Sequence, residues 1–511
     1  MRPIIKAFGQ LVANAYQRFD TALASPELTQ LSVQQEICDR LIASDYGKAL
    51  KIRSVADWQD VPIVDYDTLE PWILGKEKRQ QIPLTSEPIL FYEKTSGSSG
   101  AIKWIPYTQS LRRSFNQMFC VWAYDLIKNG PRFTTGKIYA CISPQLNVTD
   151  TLSLQDDLDY LDGWLQWLLR PWLVMPNNLN RLHNAQEFKH QLALALLQAE
   201  KLEIISIWSP SFLQVHLKYI QENQDLLRQE LHHKISRVGV ARRRHRLQIL
   251  GENPIPWTQL WPHLKLISCW DSANAADQAK GLRSQFPGVL VQGKGLLATE
   301  APMTIPLIAA GGYVPVLDEV FFEFENDSGS LYRLHELNQG EEYTIILSQK
   351  GGLYRYRIGD RVRVTHYYRQ TPCLEFLGRH QAVSDLVGEK LQSNFVHHAL
   401  LSMNLPEGCF KSLVSLAEPP QYILLLDSAP ETPKILAQQL DEALSQSYHY
   451  QRARSLGQLA PPQVIISPQI PEILALHRLR SGSIWGGIKH PILATSPIST
   501  ELLQELQRTS S

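Results

Sequence analysis

The stretch FYEKTSGSSGAIKWIPY combines small, hydroxyl-bearing and basic residues at a spacing that suits phosphate binding. Its glycines let the backbone turn consecutive N–H groups inward, where they form a concave nest for phosphate oxygens. Hydroxyl groups and a lysine add donors and positive charge. The residues in this pattern are Thr95, Ser96, Gly97, Ser98, Ser99, Gly100 and Lys103. No Gly-Lys-Ser/Thr follows Gly100, so this is not the common P-loop, and a flexible Gly/Ser turn between strands is the alternative.

Three further residues have the character of a nucleotide site. Glu300 ends an apolar strand, where α/β sheets place ligand groups, and a carboxylate is the hard oxygen ligand that Mg²⁺ prefers; a helix N-cap or a surface charge is the alternative. Asp360, in the expected turn after YRYRIG, can accept hydrogen bonds from two ribose hydroxyls, or else it stabilises a hairpin turn. Lys489 lies among glycines, from which its ammonium could reach a phosphate; an ordinary surface lysine is the alternative.

The charge balance gives no sign of a nucleic-acid or membrane-surface partner. Lys plus Arg and Asp plus Glu number 50 each in 511 residues, so no global field attracts polyanions. The six cysteines form no Cys-x-x-Cys pair, which favours reduced core residues. The N-terminus has the spacing of an amphipathic helix instead of a signal peptide, and no run approaches the roughly 20 apolar residues of a membrane helix. We therefore expect a cytoplasmic protein.

Apolar runs of strand length alternate with segments of helical spacing, which is typical of an α/β fold. The pattern predicts helices over residues 1 to about 75, a helix over Leu111–Ile127 and a buried strand in KIYACIS. GGLYRYRIGDRVRV predicts a strand, a Gly359–Asp360 turn and a second strand. Past about residue 380 the pattern becomes a smaller α+β arrangement. We therefore expect a large domain over 1–379 and a small one over 380–511.

Tryptophans concentrate between Leu152 and Trp172. The stretch predicts a buried helix, with an aromatic lining for an acyl pocket as the alternative. The tryptophans that supply aromatic material for such a pocket are Trp164, Trp167, Trp172 and Trp208.

Five motifs occur together in an order that is familiar: KTSGSSGAIKWIP, LWPHLKLISCW, GLLATE, YRYRIGD and GGIKHP. In this the chain resembles the auxin-responsive Gretchen Hagen family of acyl acid amido synthetases, particularly its bacterial members, from about Tyr46 to Pro491. That family belongs to the adenylate-forming superfamily, with acyl-CoA synthetases and luciferase. The resemblance implies a large N-terminal domain of β-sheets flanked by helices and a smaller, mobile α+β C-terminal lid.

The resemblance also implies a ligase that uses ATP and Mg²⁺ in two half-reactions. A carboxylic acid attacks the α-phosphorus to give an acyl-adenylate and pyrophosphate, and an amine, typically of an amino acid, then attacks the carbonyl to give an amide and AMP. A monomer or weak homodimer with small-molecule partners is expected. The alternatives are a ligase with a thiol acceptor, such as coenzyme A or a carrier protein, and a nucleotide-binding module without turnover.

Carried over by position, the resemblance assigns roles to single residues. Thr95–Gly100 match the phosphate loop, with Lys103 as supporting charge. Thr299 and Glu300 match a Thr/Ser-Glu pair, with Thr299 near the α-phosphate or adenylate and Glu300 on Mg²⁺. Asp360 matches the ribose-binding Asp. Two C-terminal positions complete the set: Arg379, which contacts ribose or adenylate, and Lys489, which reaches the α-phosphate or the acyl carboxylate.

Two positions depart from the family pattern. Leu296 stands where plant members have a Tyr that stacks on adenine, so that adenine would rest on an aliphatic surface. Ile488 stands before Lys489, where a Gln is more usual. The first departure weakens the stacking on adenine without removing the pocket, and the second concerns the local polar contacts of the Lys489 loop.

Overall fold

The computed structural model describes residues 3–74, 84–95, 103–140, 169–176, 185–233, 240–379, 383–403, 405–480 and 490–509. The strands, numbered in chain order, are β1 (Ile89–Thr95), β2 (Lys103–Thr108), β3 (Lys137–Ala140), β4 (Leu202–Ser206), β5 (Leu266–Cys269), β6 (Leu290–Gly293), β7 (Leu297–Ala298), β8 (Ala301–Pro302), β9 (Thr304–Leu307), β10 (Gly312–Pro315), β11 (Val320–Glu325), β12 (Leu331–Arg333), β13 (Glu342–Gln349), β14 (Tyr356–Tyr368), β15 (Thr371–Arg379), β16 (Val383–Ser384), β17 (Leu391–Gln392), β18 (Lys411–Leu416), β19 (Gln421–Leu426) and β20 (Gln463–Ile466). The α-helices are Pro3–Ala24, Pro26–Ala43, Asp45–Ala49, Tyr66–Leu74, Gln109–Asn129, Ala185–Gln198, Pro210–Glu222, Gln224–His233, Val240–Ile249, Trp257–Leu260, Ala276–Gln285, Ser393–Leu401, Pro433–Leu444, Tyr448–Ser455, Ile470–Arg480 and Thr500–Arg508.

A four-stranded sheet in the order β3-β4-β5-β6 is parallel throughout. Its strands are short apolar runs, and all four residues of β5 are buried. Such runs are expected where helices cover both faces of a parallel sheet. The helices between these strands pack with them into one apolar core that includes Trp261 and Phe286. The carboxyl ends of all four strands therefore lie along one edge of the sheet.

A second core joins the N-terminal helices to a five-stranded antiparallel sheet in the order β12-β11-β13-β14-β15. Helix Gln109–Asn129 is central to it: the Thr108 hydroxyl accepts a hydrogen bond from the Leu111 N–H (3.3 Å) at its start, and Gly130 follows its end. The same core encloses the Arg355 guanidinium, which donates to both oxygens of Glu323 at 2.8 and 2.9 Å. This buried pair fixes β11 to the start of β14.

The C-terminal part contains a three-stranded sheet in which β18 pairs antiparallel with β19 and β19 pairs parallel with β20. Every residue of β19 is buried, because separate apolar clusters cover its two faces. Three ion pairs join this part to the parallel-sheet region: Lys189–Glu472, Lys280–Glu407 and Lys411–Asp277. In the part of the chain covered here, no helix is long and apolar enough to cross a bilayer.

The α/β fold expected from the sequence is confirmed, with sheets flanked by helices and a C-terminal α+β part. Helices fill most of 3–74, the helix predicted over Leu111–Ile127 is present, and β3 covers the described part of KIYACIS. The Gly359–Asp360 turn is wrong, because β14 runs through both residues as one strand of 13 residues. Most of Leu152–Trp172, including Trp164 and Trp167, lies outside the described residues.

Candidate active site

Strands β1 and β2 form an antiparallel hairpin whose last described pair is Thr95 and Lys103. Of the expected phosphate loop, Thr95–Gly100, the backbone of Thr95 ends β1, and Ser96–Gly100 lie outside the described residues. Lys103 Nζ lies 5.4 Å from the centroid of the Tyr66 ring, whose hydroxyl accepts a hydrogen bond from the Trp104 N–H at 2.8 Å. These contacts attach the start of β2 to the first residue of helix Tyr66–Leu74.

The base of the hairpin is held by a charged cluster. Glu87, which precedes β1, accepts hydrogen bonds from the Ser110 N–H (3.2 Å), the Ser110 hydroxyl and the Arg40 guanidinium. Burial alone would raise the pKa of Glu87, but the bonds from Ser110 and Arg40 outweigh burial and lower that pKa. An ionised Glu87 therefore ties the residues on either side of the hairpin to helix Pro26–Ala43.

Thr299 and Glu300 form the tight turn between β7 and β8, in which Ala298 pairs with Ala301. The sequence predicts this turn at the end of a strand; the turn is present, but the strand before it is interrupted, so that Glu300 follows the two-residue β7 with Thr299 between them. Glu300 is only 4% exposed. The backbone carbonyl of Thr299 accepts a hydrogen bond from the Tyr107 hydroxyl of β2 at 2.8 Å. The turn is thus joined directly to the hairpin that carries the expected phosphate loop.

Leu296, four residues before Glu300, is a core residue with 8% exposure. Its N–H donates to the Thr304 hydroxyl at 2.7 Å, and its carbonyl accepts from the N–H groups of Met303 and Thr304 at 3.0 and 3.1 Å. The backbone of the β6–β7 connection is therefore fixed against β9, and the Leu296 side chain belongs mainly to the apolar core.

Asp360 and Arg379 lie opposite each other as the terminal pair of the β14–β15 ladder. The register between β13 and β14 shifts at Gly359, whose φ of 83° is a conformation that glycine adopts at little cost. The residues form a bulge inside a strand instead of a turn, and Asp360 is 4% exposed. For Arg379 the backbone position alone is described. The two residues that the resemblance assigns to the nucleotide site therefore occupy paired backbone positions on neighbouring strands.

A short extended segment connects this ladder to the hairpin. Val64 pairs with the first residue of β14: its N–H donates to the Arg355 carbonyl at 3.1 Å, and its carbonyl accepts from the Arg357 N–H at 2.8 Å. Two residues later, Tyr66 contacts Lys103 and Trp104. Described contacts thus link the strand of Asp360, the strand of Lys103 and the turn of Glu300.

Sequence reasoning missed a polar group at the carboxyl edge of the parallel sheet. Asp271, two residues beyond β5, accepts hydrogen bonds from the Tyr313 hydroxyl and from Arg283 (3.1 Å). Gly293 ends β6 beside them, and a Cβ there would lie 2.1 Å from an Asp271 oxygen and 2.2 Å from the Tyr313 oxygen. Lys294 follows, donating to the Ser206 hydroxyl at 2.8 Å. The signal that identified Glu300, a polar residue after an apolar strand, also applies to Asp271 and Lys294.

Aromatic residues adjoin this polar group. Trp208 and Trp270 follow β4 and β5, and their ring centroids are 5.8 Å apart. Lys294 Nζ lies 4.8 Å from the Trp208 ring centroid, a distance typical of a cation–π contact. Two of the tryptophans suggested for an apolar pocket can thus be placed. Trp208 lies at the carboxyl edge of the parallel sheet, and Trp172 lies in a short 3₁₀ segment after residue 169.

Lys489 and Ile488 lie outside the described residues, but the chain resumes at His490. The His490 ring is 5.2 Å from the Phe410 ring. It lines a small cleft together with Asp277 and Lys411, which form one of the ion pairs between the C-terminal part and helix Ala276–Gln285. That helix begins just after the carboxyl edge of β5. The residue that follows Lys489 therefore shares this cleft with the segment of the chain that follows β5.

The described residues contain no cluster of three or more His, Cys, Asp or Glu side chains that could hold a metal ion by themselves. Glu300 is instead a single buried carboxylate on a tight turn. That donor set fits Mg²⁺, which commonly binds through one or two carboxylates together with phosphates of a substrate and water.

Comparisons with known proteins agree with this architecture. The sequence matches the GH3 family N-terminal domain over residues 15–291, the GH3 family central domain over 313–379 and the GH3 family C-terminal domain over 390–498. Among solved structures, the AtGH3.15 acyl acid amido synthetase in complex with 2,4-DB superposes with a TM-score of 0.80 at 17% identity, covering 98% of this chain and 96% of that chain. A 2-hydroxyisobutyryl-CoA ligase in complex with 2-HIB-AMP has a TM-score of 0.56 at 13% identity, over 94% of this chain and 90% of that chain.

Curated relatives are more distant in sequence. The indole-3-acetic acid-amido synthetase GH3.2 of Arabidopsis thaliana is 22% identical over 421 residues, 72% of this chain and 76% of that protein. The probable indole-3-acetic acid-amido synthetase GH3.9 of Oryza sativa subsp. japonica is 25% identical over 286 residues, 48% of this chain and 63% of that protein. The GH3 domain-containing protein of Homo sapiens is 26% identical over 231 residues, 40% and 44% of the two chains. The matches to the rice and human proteins thus span less than two thirds of those relatives. Because the three domain matches together extend over most of the sequence, the chain belongs to the GH3 family.

Proposed function

We propose that this protein is an ATP-dependent acyl acid amido synthetase. One observation carries the proposal: the hairpin of Lys103, the turn of Glu300 and the terminal β14–β15 pair of Asp360 and Arg379 are linked by contacts through Tyr107, Val64 and Tyr66. These are the groups that an adenylating enzyme needs around a triphosphate and a ribose. The names of the plant relatives support an amide product.

The proposed reaction has two balanced steps. A carboxylate oxygen of the acid attacks the α-phosphorus of ATP, and the bond to the bridging oxygen breaks to release pyrophosphate. An amine then attacks the carbonyl carbon of the acyl-adenylate, loses a proton and expels AMP. The first step depends on in-line positioning and on neutralising phosphate charge more than on acid–base chemistry. The side chains in this site, a lysine, hydroxyls and one carboxylate, match that requirement.

Each residue takes a stated part in the proposal. Thr95–Gly100 and Lys103 bind phosphate oxygens, and Thr299 contacts the α-phosphate. Glu300 holds Mg²⁺, which when bound neutralises charge on the phosphates. Asp360 binds the ribose hydroxyls, Arg379 contacts ribose or adenylate, and Lys489 reaches the α-phosphate or the acyl carboxylate from the C-terminal part.

The remaining expectations belong to the same proposal. The adenine ring packs on the backbone and apolar surface near Leu296, without an aromatic partner at that position. The chain divides into domains at residue 379/380, acts in the cytoplasm as a monomer or weak homodimer, and is of the bacterial branch. Its substrates are a carboxylic acid and an amino acid, which are the substrate classes that the names of its plant relatives describe.

The test is carboxylate-dependent exchange of labelled pyrophosphate into ATP with Mg²⁺, across aryl, indolyl, jasmonate-like and fatty acids. Exchange with one acid class is the expected result, and Lys489→Ala should abolish most of it. Addition of amino acids should then give an amide and AMP. A thioester formed only with coenzyme A would replace the amine by a thiol acceptor. No exchange with any acid, despite ATP binding, would contradict the synthetase and favour a nucleotide-binding module.

A further inference from the structure

The hydrogen bond between Tyr107 and Thr299 connects two parts of the site that are separated by about two hundred positions in sequence. Tyr107 lies on β2, four residues after Lys103, and Thr299 immediately precedes Glu300. The acceptor is a backbone carbonyl, so the bond fixes the position of the turn itself and does not depend on the Thr299 side chain.

The Tyr107 ring has little freedom to redirect its hydroxyl. It is fully buried and stacks against Phe91 of β1, with ring centroids 4.9 Å apart and planes at 21°. On helix Gln109–Asn129, Phe115 stacks at 6.0 Å and also at 21°. Because a stacked, buried ring cannot swing without breaking these contacts, the hydroxyl presents a rigid donor to the turn.

We propose that Tyr107 is a positioning residue that holds the Thr299–Glu300 turn in place relative to the hairpin of the phosphate loop. The inference rests on the proposed function, in which the loop binds phosphate oxygens and Glu300 binds the Mg²⁺ on the same phosphates. A ligand that contacts both elements at once needs their separation fixed to within a fraction of an ångström. Tyr107 supplies a direct link between them, at 2.8 Å.

Tyr107→Phe removes the donor and keeps the ring that stacks on Phe91 and Phe115. We expect the variant to bind MgATP about tenfold more weakly, because a released turn presents Glu300 poorly to the metal. Binding of ATP in EDTA, which does not use Glu300, should be unchanged. The kcat/KM for MgATP in pyrophosphate exchange should fall by the same factor, chiefly through KM. The thermal midpoint should fall by no more than about 3 °C.

Tyr92→Phe is the matched control. Tyr92 lies on the partner strand of the same hairpin, and its hydroxyl also donates to a backbone carbonyl, that of Ile73 at 3.3 Å, on helix Tyr66–Leu74. A merely structural role for tyrosine hydroxyls in this hairpin predicts equal effects in the two variants. A positioning role predicts the metal-dependent loss in Tyr107→Phe alone.

A double-mutant cycle with Glu300→Gln separates action through Glu300 from any other route. If Tyr107 acts by positioning Glu300, Tyr107→Phe should have no further effect on MgATP affinity once Glu300 is Gln. A full tenfold loss in that background would overturn the proposal. So would equal loss of MgATP and metal-free ATP affinity, or a lower thermal midpoint with unchanged affinity.

The binding readouts keep this inference distinct from the synthetase activity. Metal-dependent binding that is lost in Tyr107→Phe, with no exchange for any acid, would support the positioning role and contradict the synthetase. A wild-type protein whose ATP affinity is the same with Mg²⁺ and with EDTA would overturn the positioning role.

Discussion

The two edges of the parallel sheet each hold a carboxylate that is removed from solvent, and in the described part of the chain backbone N–H groups donate to one of these carboxylates and not to the other. At the amino edge, Glu203 is 0% exposed and accepts the backbone N–H groups of Thr134, Thr135 and Gly136, each at 2.7 Å. The Thr134 and Thr135 hydroxyls, at 3.1 and 3.0 Å, and Lys265, at 2.9 Å, add side-chain donors. At the carboxyl edge, Asp271 is 11% exposed and accepts from side chains, among them the Tyr313 hydroxyl and Arg283.

Backbone donors cannot be withdrawn without unfolding their loop, whereas side-chain donors can exchange one partner for another. Glu203 therefore serves the fold, because its oxygens close the loop before β3 against β4 and β5. Asp271 lies on the edge where α/β sheets bind ligands, and its donors come from separate elements. Burial, reinforced by Asp271, raises the pKa of Tyr313 well above its usual value, so the phenol remains a donor to Asp271 at any physiological pH.

Replacement of Glu203 by Gln should give the largest effect of the variants that test this comparison. An uncharged amide leaves Lys265 without its anionic partner and turns an NH₂ group toward backbone N–H donors. We expect the free energy of unfolding to fall by about 3–5 kcal/mol, measured by urea denaturation with tryptophan fluorescence. The kcat and KM of the protein that remains folded should be unchanged, and a selective loss of activity would contradict the structural role.

Glu300→Gln should show the opposite pattern. Glu300 is as well buried as Glu203, but it lies on the turn that joins the proposed phosphate site. We expect pyrophosphate exchange to fall by about 100-fold or more, since one preorganised charge contact at a reacting phosphate is lost. Glu300→Asp, which keeps the charge, is the control. If Glu300→Gln unfolds readily and keeps its specific activity, the distinction between Glu203 as a structural carboxylate and Glu300 as a ligand-binding carboxylate fails.

Tyr313→Phe should have a smaller effect on both quantities. It removes one donor to Asp271 while Arg283 remains at 3.1 Å. We expect a loss of about 1 kcal/mol in the free energy of unfolding and a change of a few fold in the KM for one substrate. Unchanged KM for ATP, acid and amine would place Asp271 with Glu203, as a structural carboxylate.

The smallest expected effect is on the pH dependence of the unfolding free energy, and it tests the surroundings of Glu203 at the amino edge. Burial alone would raise the pKa of Glu203, but Lys265 and the backbone N–H groups outweigh burial and hold that pKa below 4.5. A lowered carboxyl pKa contributes stability above the unfolded-state value and loses it as the pH falls through the folded-state value. The difference in unfolding free energy between wild type and Glu203→Gln should therefore be constant near pH 7 and shrink below about pH 4.5. A constant difference down to pH 3 would contradict this account.

Local sequence signals located the elements of the candidate site better than their mutual arrangement. The turn that carries Thr299 and Glu300 is predicted by the sequence and present in the fold, and β1 forms where an apolar run enters the glycine-rich stretch. Such signals depend on neighbouring residues alone, so they are readable without the structure. The resemblance of the motifs to a known family added the adenylate-forming architecture and the proposed roles of Asp360, Arg379 and Lys489.

What the sequence could not specify is pairing over long distances. Gly359 needs positive φ in a bulge as much as in a turn, and only the strands on either side of β14 decide between the two. The pairing of Asp360 with Arg379 is a matter of strand register, and the approach of Tyr313 to Asp271 spans 42 positions. Each of these depends on how separate segments pack, which no local pattern encodes.

The terminal position of the Asp360–Arg379 pair has a mechanical consequence. Arg379 is the last residue of β15, so the chain departs from the five-stranded sheet at this pair and continues toward the C-terminal part. The terminal residue pair of two strands separates more easily than an internal pair, because it has one adjacent pair instead of two. If Asp360 and Arg379 contact the nucleotide as proposed, a bound nucleotide would hold the terminal pair together, and in the empty site that pair would separate more easily. The presence of nucleotide would then set how stiffly the C-terminal part is tethered.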